Sequence, residues 1–185
     1  MTKGKLLIIS GPSGVGKDTI VKAFRAKHPD WLEPPSVTTR QPRNGEIEGI
    51  DYYFVDRQTF EKKINAGEFL EWVETTGHLY GTPKDPVEKM LDDGKDIIVR
   101  KDVRGALEIK KTIPKAITVC LLPDEWEALE HRFRGRATDS EELLQSRLEL
   151  AKEELTYKKH FDHLIINPHN QPEEALAAIE KAAEL

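Results

Sequence analysis

The sequence is short of cysteine, of long apolar runs and of net positive charge, and each shortage excludes something. Its 185 residues include a single cysteine, Cys120, so no internal disulfide can form and a disulfide-stapled scaffold is excluded. No apolar stretch approaches the ~20 residues that a membrane-spanning helix requires. Twenty-eight lysines and arginines stand against 33 acidic residues, a net charge of −5, so no broad basic field draws in nucleic acid or an anionic membrane. The six histidines are scattered. His160 and His163 stand close, but with one cysteine in the chain they offer no metal-ligand spacing. No Ser–His–acid arrangement is legible. The first residues run straight into an apolar strand, without the basic-then-apolar layout of a signal peptide. The expectation is a cytoplasmic protein with neither nucleic acid nor membrane as a partner.

What the chain does have is charge and periodicity. Charged residues make up 33% and apolar residues 38%, yet apolar positions recur at helical or strand spacing throughout, as a disordered chain's would not. The length suits a single domain, residues 1–185, able to bury a core without metals or crosslinks. Trp31, Trp72 and Trp126 read as packing residues.

The most informative stretch is KLLIISGPSGVGKDTI, from Lys5 to Ile20. Leu6 to Ser10 predict a short buried strand. Ile20, Val21 and Phe24 share one helical face, and Pro29 stops that helix near His28. Between strand and helix, Gly11, Pro12, Ser13, Gly14, Val15, Gly16 and Lys17 fit the phosphate-cradling P-loop pattern G-x-x-x-x-G-K. Glycines let several backbone N–H groups turn toward one phosphate, and the following helix adds its positive end. Lys17 supplies a mobile charge for the oxygens of a transferring phosphoryl group. The next position, where the pattern asks for Ser or Thr, is Asp18. Thr19 cannot stand in for it, because one residue further round a helix points about 100° away. Nucleotide phosphate binding follows from this stretch; the second substrate does not.

The rest of the chain predicts alternating strands and helices. Glu33 to Arg40 reads as extended, Gln41 to Asp51 as loop, Tyr52 to Val55 as strand and Arg57 to Ala66 as a helix closed by Gly67. Phe69 to Glu74 alternates like a strand, and Gly77 and Gly81 mark turns around a second one. Helices over Pro83–Leu91 and Val103–Lys111 flank a buried strand at Ile97–Val99, and Ala116–Leu122 forms another. Trp126, Leu129 and Phe133 have helical spacing, and Thr138 or Asp139 can cap a long charged helix striped by Leu144, Leu148, Ala151 and Leu155. Leu164–Ile166 and a closing helix after Pro172 complete the chain. This order predicts an α/β fold, a P-loop-type parallel sheet flanked by helices. A strand-rich insertion between about residues 33 and 82 interrupts it as a separate lobe.

Within that insertion, S-V-T-T-R-Q-P-R-N-G-E-I-E-G-I-D-Y-Y-F sets Arg40 and Arg43 on a Pro-Gly loop with Tyr52 beyond a turn. Two guanidiniums and a phenol suit a phosphate, which arginine meets in bidentate fashion. This arrangement, with E-F-L-E-W (Glu68–Trp72), L-Y-G-T-P (Leu79–Pro83), R-F-R-G-R (Arg132–Arg136) and I-I-N (Ile165–Asn167), resembles the guanylate kinases over nearly the whole chain. The resemblance implies transfer of the ATP γ-phosphoryl group to GMP, with Mg²⁺ accompanying ATP, by a monomer or homodimer. It implies a core of about residues 1–32, 83–122 and 160–185, a GMP-binding lobe at 33–82 and a helical lid at 123–159.

By that similarity Arg40, Arg43, Tyr52 and Tyr80 hold the GMP phosphate, and Glu71 accepts from the guanine N1–H and amine. Ser36 and Thr82 complete the pocket near the O6 edge, although Thr82 also reads as the cap of the helix at Pro83. Asp102 matches the second acid of the family's E-x-D-x-Q-G stretch, near base or ribose. Arg132, Arg136 and Arg147 close over the phosphates with the lid, whereas Arg134 reads as solvated. Arg147 has alternative partners in Glu142, Glu149 and Glu154. Asn167 resembles an adenine-side asparagine, although Pro168 stands where an acid usually follows. Residues 11–19 complete the ATP site.

Two departures fall at the metal site: Asp18 replaces the hydroxyl, and Arg100, beside Lys101, replaces the acid that ends the strand before Asp102. The expectation is that they compensate, Asp18 serving as an oxygen ligand for Mg²⁺ and Arg100 balancing it or reaching a phosphate. Two rival readings stand beside this one. Ribose bisphosphate kinases also carry Asp after the P-loop lysine, and a guanylate-kinase-like binding module would have lost catalysis.

Overall fold

The computed structural model describes residues 2–75, 77–134, 141–168 and 171–185, apart from the side chains of residues 128, 131, 132 and 143. Its first sheet is wholly parallel. Strands β1 (Leu6–Ser10), β6 (Ile97–Arg100), β7 (Ile117–Pro123) and β8 (His163–Asn167) lie in the order β6-β1-β7-β8. β1 is buried along its whole length, as expected of a strand covered on both faces. Alternation divides its side chains. Leu7 and Ile9 join Ile20, Val21 and Phe24 of α1 (Lys17–Lys27) and Ala175 and Ile179 of α7 (Pro172–Ala182). Leu6 and Ile8 face Val87 and Leu91 of α3 (Lys84–Asp92) and Val103, Ala106 and Ile109 of α4 (Val103–Thr112).

The second sheet follows from the insertion. β2 (Ser36–Thr38), β3 (Tyr52–Phe54), β4 (Phe69–Thr75) and β5 (His78–Pro83) lie in the order β3-β2-β5-β4, with β5 antiparallel to both neighbours. Val37, Leu79 and Phe60 of α2 (Arg57–Asn65) form a small core beneath it. Helices α5 (Trp126–Arg134) and α6 (Glu141–Thr156) pack through Leu129, Phe133, Leu144, Leu148 and Ala151. Phe133 reaches the glycine-rich loop, where a Cβ on Gly14 would sit 3.0 Å from its ring.

Four local expectations change. Gly81 marks no turn; it pairs with Val37 and Trp72 inside β5, where a Cβ would meet the Phe69 ring at 2.8 Å. Glycine here makes room for packing. The extended stretch from Glu33 narrows to the three residues of β2. Trp72 is 48% exposed, because a bulge at Phe69/Glu71 turns both Leu70 and Glu71 inward and aims Trp72 outward. Pro83, not Thr82, is the cap of α3, and it makes no side-chain cap bond. The caps proposed at Thr138 and Asp139 lie outside the described residues.

Candidate active site

The loop between β1 and α1 curls as its sequence requires. Gly16 caps α1 at φ 98°, a left-handed conformation that costs glycine little. A Cβ there would also approach Asn167 Nδ2 at 2.6 Å. That amide donates to the Val15 carbonyl at 2.7 Å from a side chain only 5% exposed. The predicted adenine-side asparagine is thus a buried strut that joins the end of β8 to the loop. Lys17 Nζ bonds the carbonyls of Gly11 at 2.7 Å and Pro12 at 3.0 Å. Burial pushes its ammonium below the usual lysine range, against the pull of Glu154, Asp18 and Asp102.

Glu154 was singled out in the sequence only as a possible partner of Arg147. In the structure it reaches the phosphate loop from α6, its Oε2 accepting from Ser13 N at 3.3 Å. Burial raises its carboxyl above the ordinary glutamate value, partly offset by Lys17 and the Ser13 N–H. An acidic group therefore faces the nest of N–H groups that a phosphate would use.

Across the sheet edge, Ser36, Tyr52, Glu71, Tyr80 and Asp102 line one cleft of about 480 Å³, together with Arg100 and Lys101. That volume lies in the range of small-ligand sites. Glu71, 8% exposed, accepts from the Thr82 hydroxyl at 2.5 Å and faces Lys101 Nζ at 3.1 Å. The Thr82 hydroxyl is therefore committed to holding Glu71, and Thr82, Arg40 and Arg43 are not among the residues that line the cleft. Asp102 caps α4, accepting from Gly105 N at 2.6 Å, so its carboxylate is first a structural cap on the cleft wall.

Arg40 forms two bonds to Glu46, at 2.8 and 3.0 Å, and its guanidinium lies 5.4 Å from the centre of the Tyr52 ring. Glu46 and Tyr80 together hold that guanidinium above its usual value, against burial. Glu46 also accepts from Arg43 N at 2.7 Å, so one carboxylate shapes the whole loop and leaves the Arg43 side chain exposed. The two tyrosine rings meet edge to face at 6.3 Å.

Arg100 bridges the two halves. Its Nε is 3.3 Å from Asp18 Oδ1 and its Nη1 is 3.7 Å from Glu33 Oε1. Burial lowers its pKa, but Glu33, Asp18 and Tyr52 more than offset this. Asp18, with 84% of its side chain exposed, can give Mg²⁺ one carboxylate while nucleotide oxygens and water supply the rest. No cluster of three or more His, Cys, Asp or Glu able to hold a metal occurs among the described residues. Arg147 is half-buried on α6. Arg134 is exposed and pairs with Glu130 and Glu141. Arg136 and the side chain of Arg132 lie outside the described residues.

A parallel sheet whose first strand runs through a glycine-rich loop into a helix, facing a cleft lined by side chains of both charges, defines the P-loop phosphotransferases as a class. The guanylate kinase family model matches residues 3–184. The guanylate kinase of Carboxydothermus hydrogenoformans is 47% identical over 90% of this chain and 82% of its own. That of a Synechococcus strain is 43% identical over 98% of both chains. The crystal structure of guanylate kinase from Anaplasma phagocytophilum superimposes with a TM-score of 0.73 at 29% identity, over 100% of this chain and 86% of that one. This chain belongs to the guanylate kinase family. A shikimate kinase from Bacteroides thetaiotaomicron, at 12% identity and a TM-score of 0.50, shares the fold alone.

Proposed function

We propose that this guanylate kinase family enzyme transfers the γ-phosphoryl group of ATP to GMP. A GMP phosphate oxygen attacks the γ-phosphorus, the bond to the β-phosphate oxygen breaks, and ADP and GDP leave without a covalent enzyme intermediate. The observation that carries this reading is the cleft that gathers Ser36, Tyr52, Glu71, Tyr80 and Asp102 around Arg100, whose guanidinium reaches Asp18 at the end of the phosphate loop. A ribose bisphosphate kinase has no use for a buried carboxylate at Glu71 or an arginine–tyrosine clamp, and neither rival reading finds support in the relatives.

The Gly11–Lys17 backbone and Lys17 take the donor phosphates, and Asn167 serves that side through the loop it braces. Arg40, Arg43, Tyr52 and Tyr80 hold the acceptor phosphate, with Arg40 exchanging Glu46 for phosphate oxygens. Glu71, Ser36 and Thr82 take the base. Arg147, with Arg132 and Arg136, neutralises charge as the lid closes, and such arginines are worth ~10³-fold or more in rate. Mg²⁺ accompanying ATP would take Asp18 as its protein ligand and would supply charge neutralisation for the transferring phosphoryl group. A single domain with core, GMP lobe and lid, located in the cytoplasm, belongs to the same reading. An assay of ADP release with GMP, AMP and ribose bisphosphate as acceptors tests it. Release should require GMP; equal rates with ribose bisphosphate would refute the assignment.

A further inference from the structure

Among the charged side chains of the acceptor cleft that the reading above leaves unused, one is buried against Glu71. Lys101 follows β6 and precedes the Asp102 cap, and its side chain is 13% exposed. Its Nζ lies 3.1 Å from Glu71 Oε1 and donates to Ser36 Oγ at 3.2 Å. Glu71 Oε1 also receives the Thr82 hydroxyl, and Glu71 Oε2 lies against Gly105, where a Cβ would be 2.9 Å away. A carboxylate acceptor and an ammonium donor therefore stand side by side in the wall of the base pocket.

That order matches one edge of one class of base. A 6-oxopurine presents an N1–H donor next to an O6 acceptor, the complement of Glu71 beside Lys101. A 6-aminopurine presents the reverse, an N1 acceptor next to an amine, and would set acceptor against carboxylate and donor against ammonium. An ammonium carries three donors, and its bonds to Glu71 and Ser36 leave a proton for a ligand oxygen. A purine whose N1–H takes Glu71 relieves the lysine of part of that pairing and brings O6 to it.

We infer that Lys101 is a specificity-determining residue, donating to the 6-oxygen of the acceptor base while Glu71 accepts from N1–H. This rests on the reading of the cleft as a GMP site. A buried bond of this kind to a charged donor is worth roughly tenfold or more in affinity, and sites built on such bonds reject analogues that lack the partner.

The test compares dissociation constants for GMP and for 2-aminopurine ribonucleoside monophosphate, which keeps the 2-amine, lacks O6 and with it N1–H (a loss common to wild type and variant, so that it cancels in the comparison of ratios), and reports its own binding by fluorescence. The wild type should prefer GMP. In Lys101→Met the GMP constant should weaken about tenfold or more while the analogue's changes by less than about twofold, collapsing the ratio. Lys101→Gln, which retains a donor, should keep part of it and guards against a folding defect in the first variant. An unchanged ratio in Lys101→Met, whether GMP binds more weakly or more tightly, overturns the inference and leaves Lys101 a counter-ion of Glu71. Failure of the wild type to bind GMP at all refutes the guanylate site itself, a result distinct from either.

Discussion

At the scale of single residues, the site is built from side chains whose ordinary preferences have been overridden by burial. Glu154 is the clearest case. Its carboxyl is raised above the ordinary value of 4.5, chiefly because burial disfavours its charge, so the folded chain holds that proton more tightly than the unfolded one does. The stability this gives is complete below about pH 4.5 and is lost as the pH rises through the raised folded value. Glu154→Gln keeps an acceptor for Ser13 N–H and titrates nowhere. Its melting temperature relative to wild type, without nucleotide, should climb as the pH is raised from 4 to 8. A flat difference would mean that the carboxylate's burial costs nothing. Sequence patterning singled out Lys17, Glu71 and Tyr52 because each sits within a recognisable string. It could not find Lys101 or Glu154 as site residues, because neither lies in a string that names its target. Lys101 meets Glu71 across 30 positions of sequence, and Glu154 meets Ser13 across 141.

At the scale of elements, apolar spacing predicted nearly every strand and helix, and the exceptions have local causes. The bulge at Phe69/Glu71 cannot be read from alternation, and Gly81 resembles a turn residue when its neighbours in space are unknown. Gly105 carries the same lesson. It lies in the first turn of α4, where glycine costs about 1 kcal/mol against alanine. Its reason is proximity, since a Cβ would stand 2.9 Å from Glu71 Oε2 and 3.2 Å from Asp102 Oδ1. Gly105→Ala should therefore leave the fold no less stable, yet raise KM for GMP several-fold with KM for ATP unchanged. Steady-state kinetics with each substrate varied in turn would show it. Equal effects on both substrates would place the cost in the sheet core instead.

At the scale of the whole molecule, the two sheets meet at the carboxyl end of β6, and Arg100 ties them together through Asp18, Glu33 and Tyr52. Groups joined in one network respond non-additively to substitution. The Mg²⁺ concentration for half-maximal turnover in Asp18→Ser, Arg100→Glu and the double variant should therefore depart from the sum of the single effects. Simple addition would show two independent changes. By itself the sequence determined the phosphate loop, the parallel α/β core and the strand-rich insertion, since each depends on contacts a few residues apart or on periodicity, whereas the acceptor residues came from resemblance to the guanylate kinases. Only the tertiary structure decided that Asn167 braces the loop, that Thr82 bonds Glu71, that Arg40 rests on Glu46, and that Lys101 stands beside Glu71. Those outcomes depend on which distant backbones come within a hydrogen bond of one another, and chain order alone does not encode that distance.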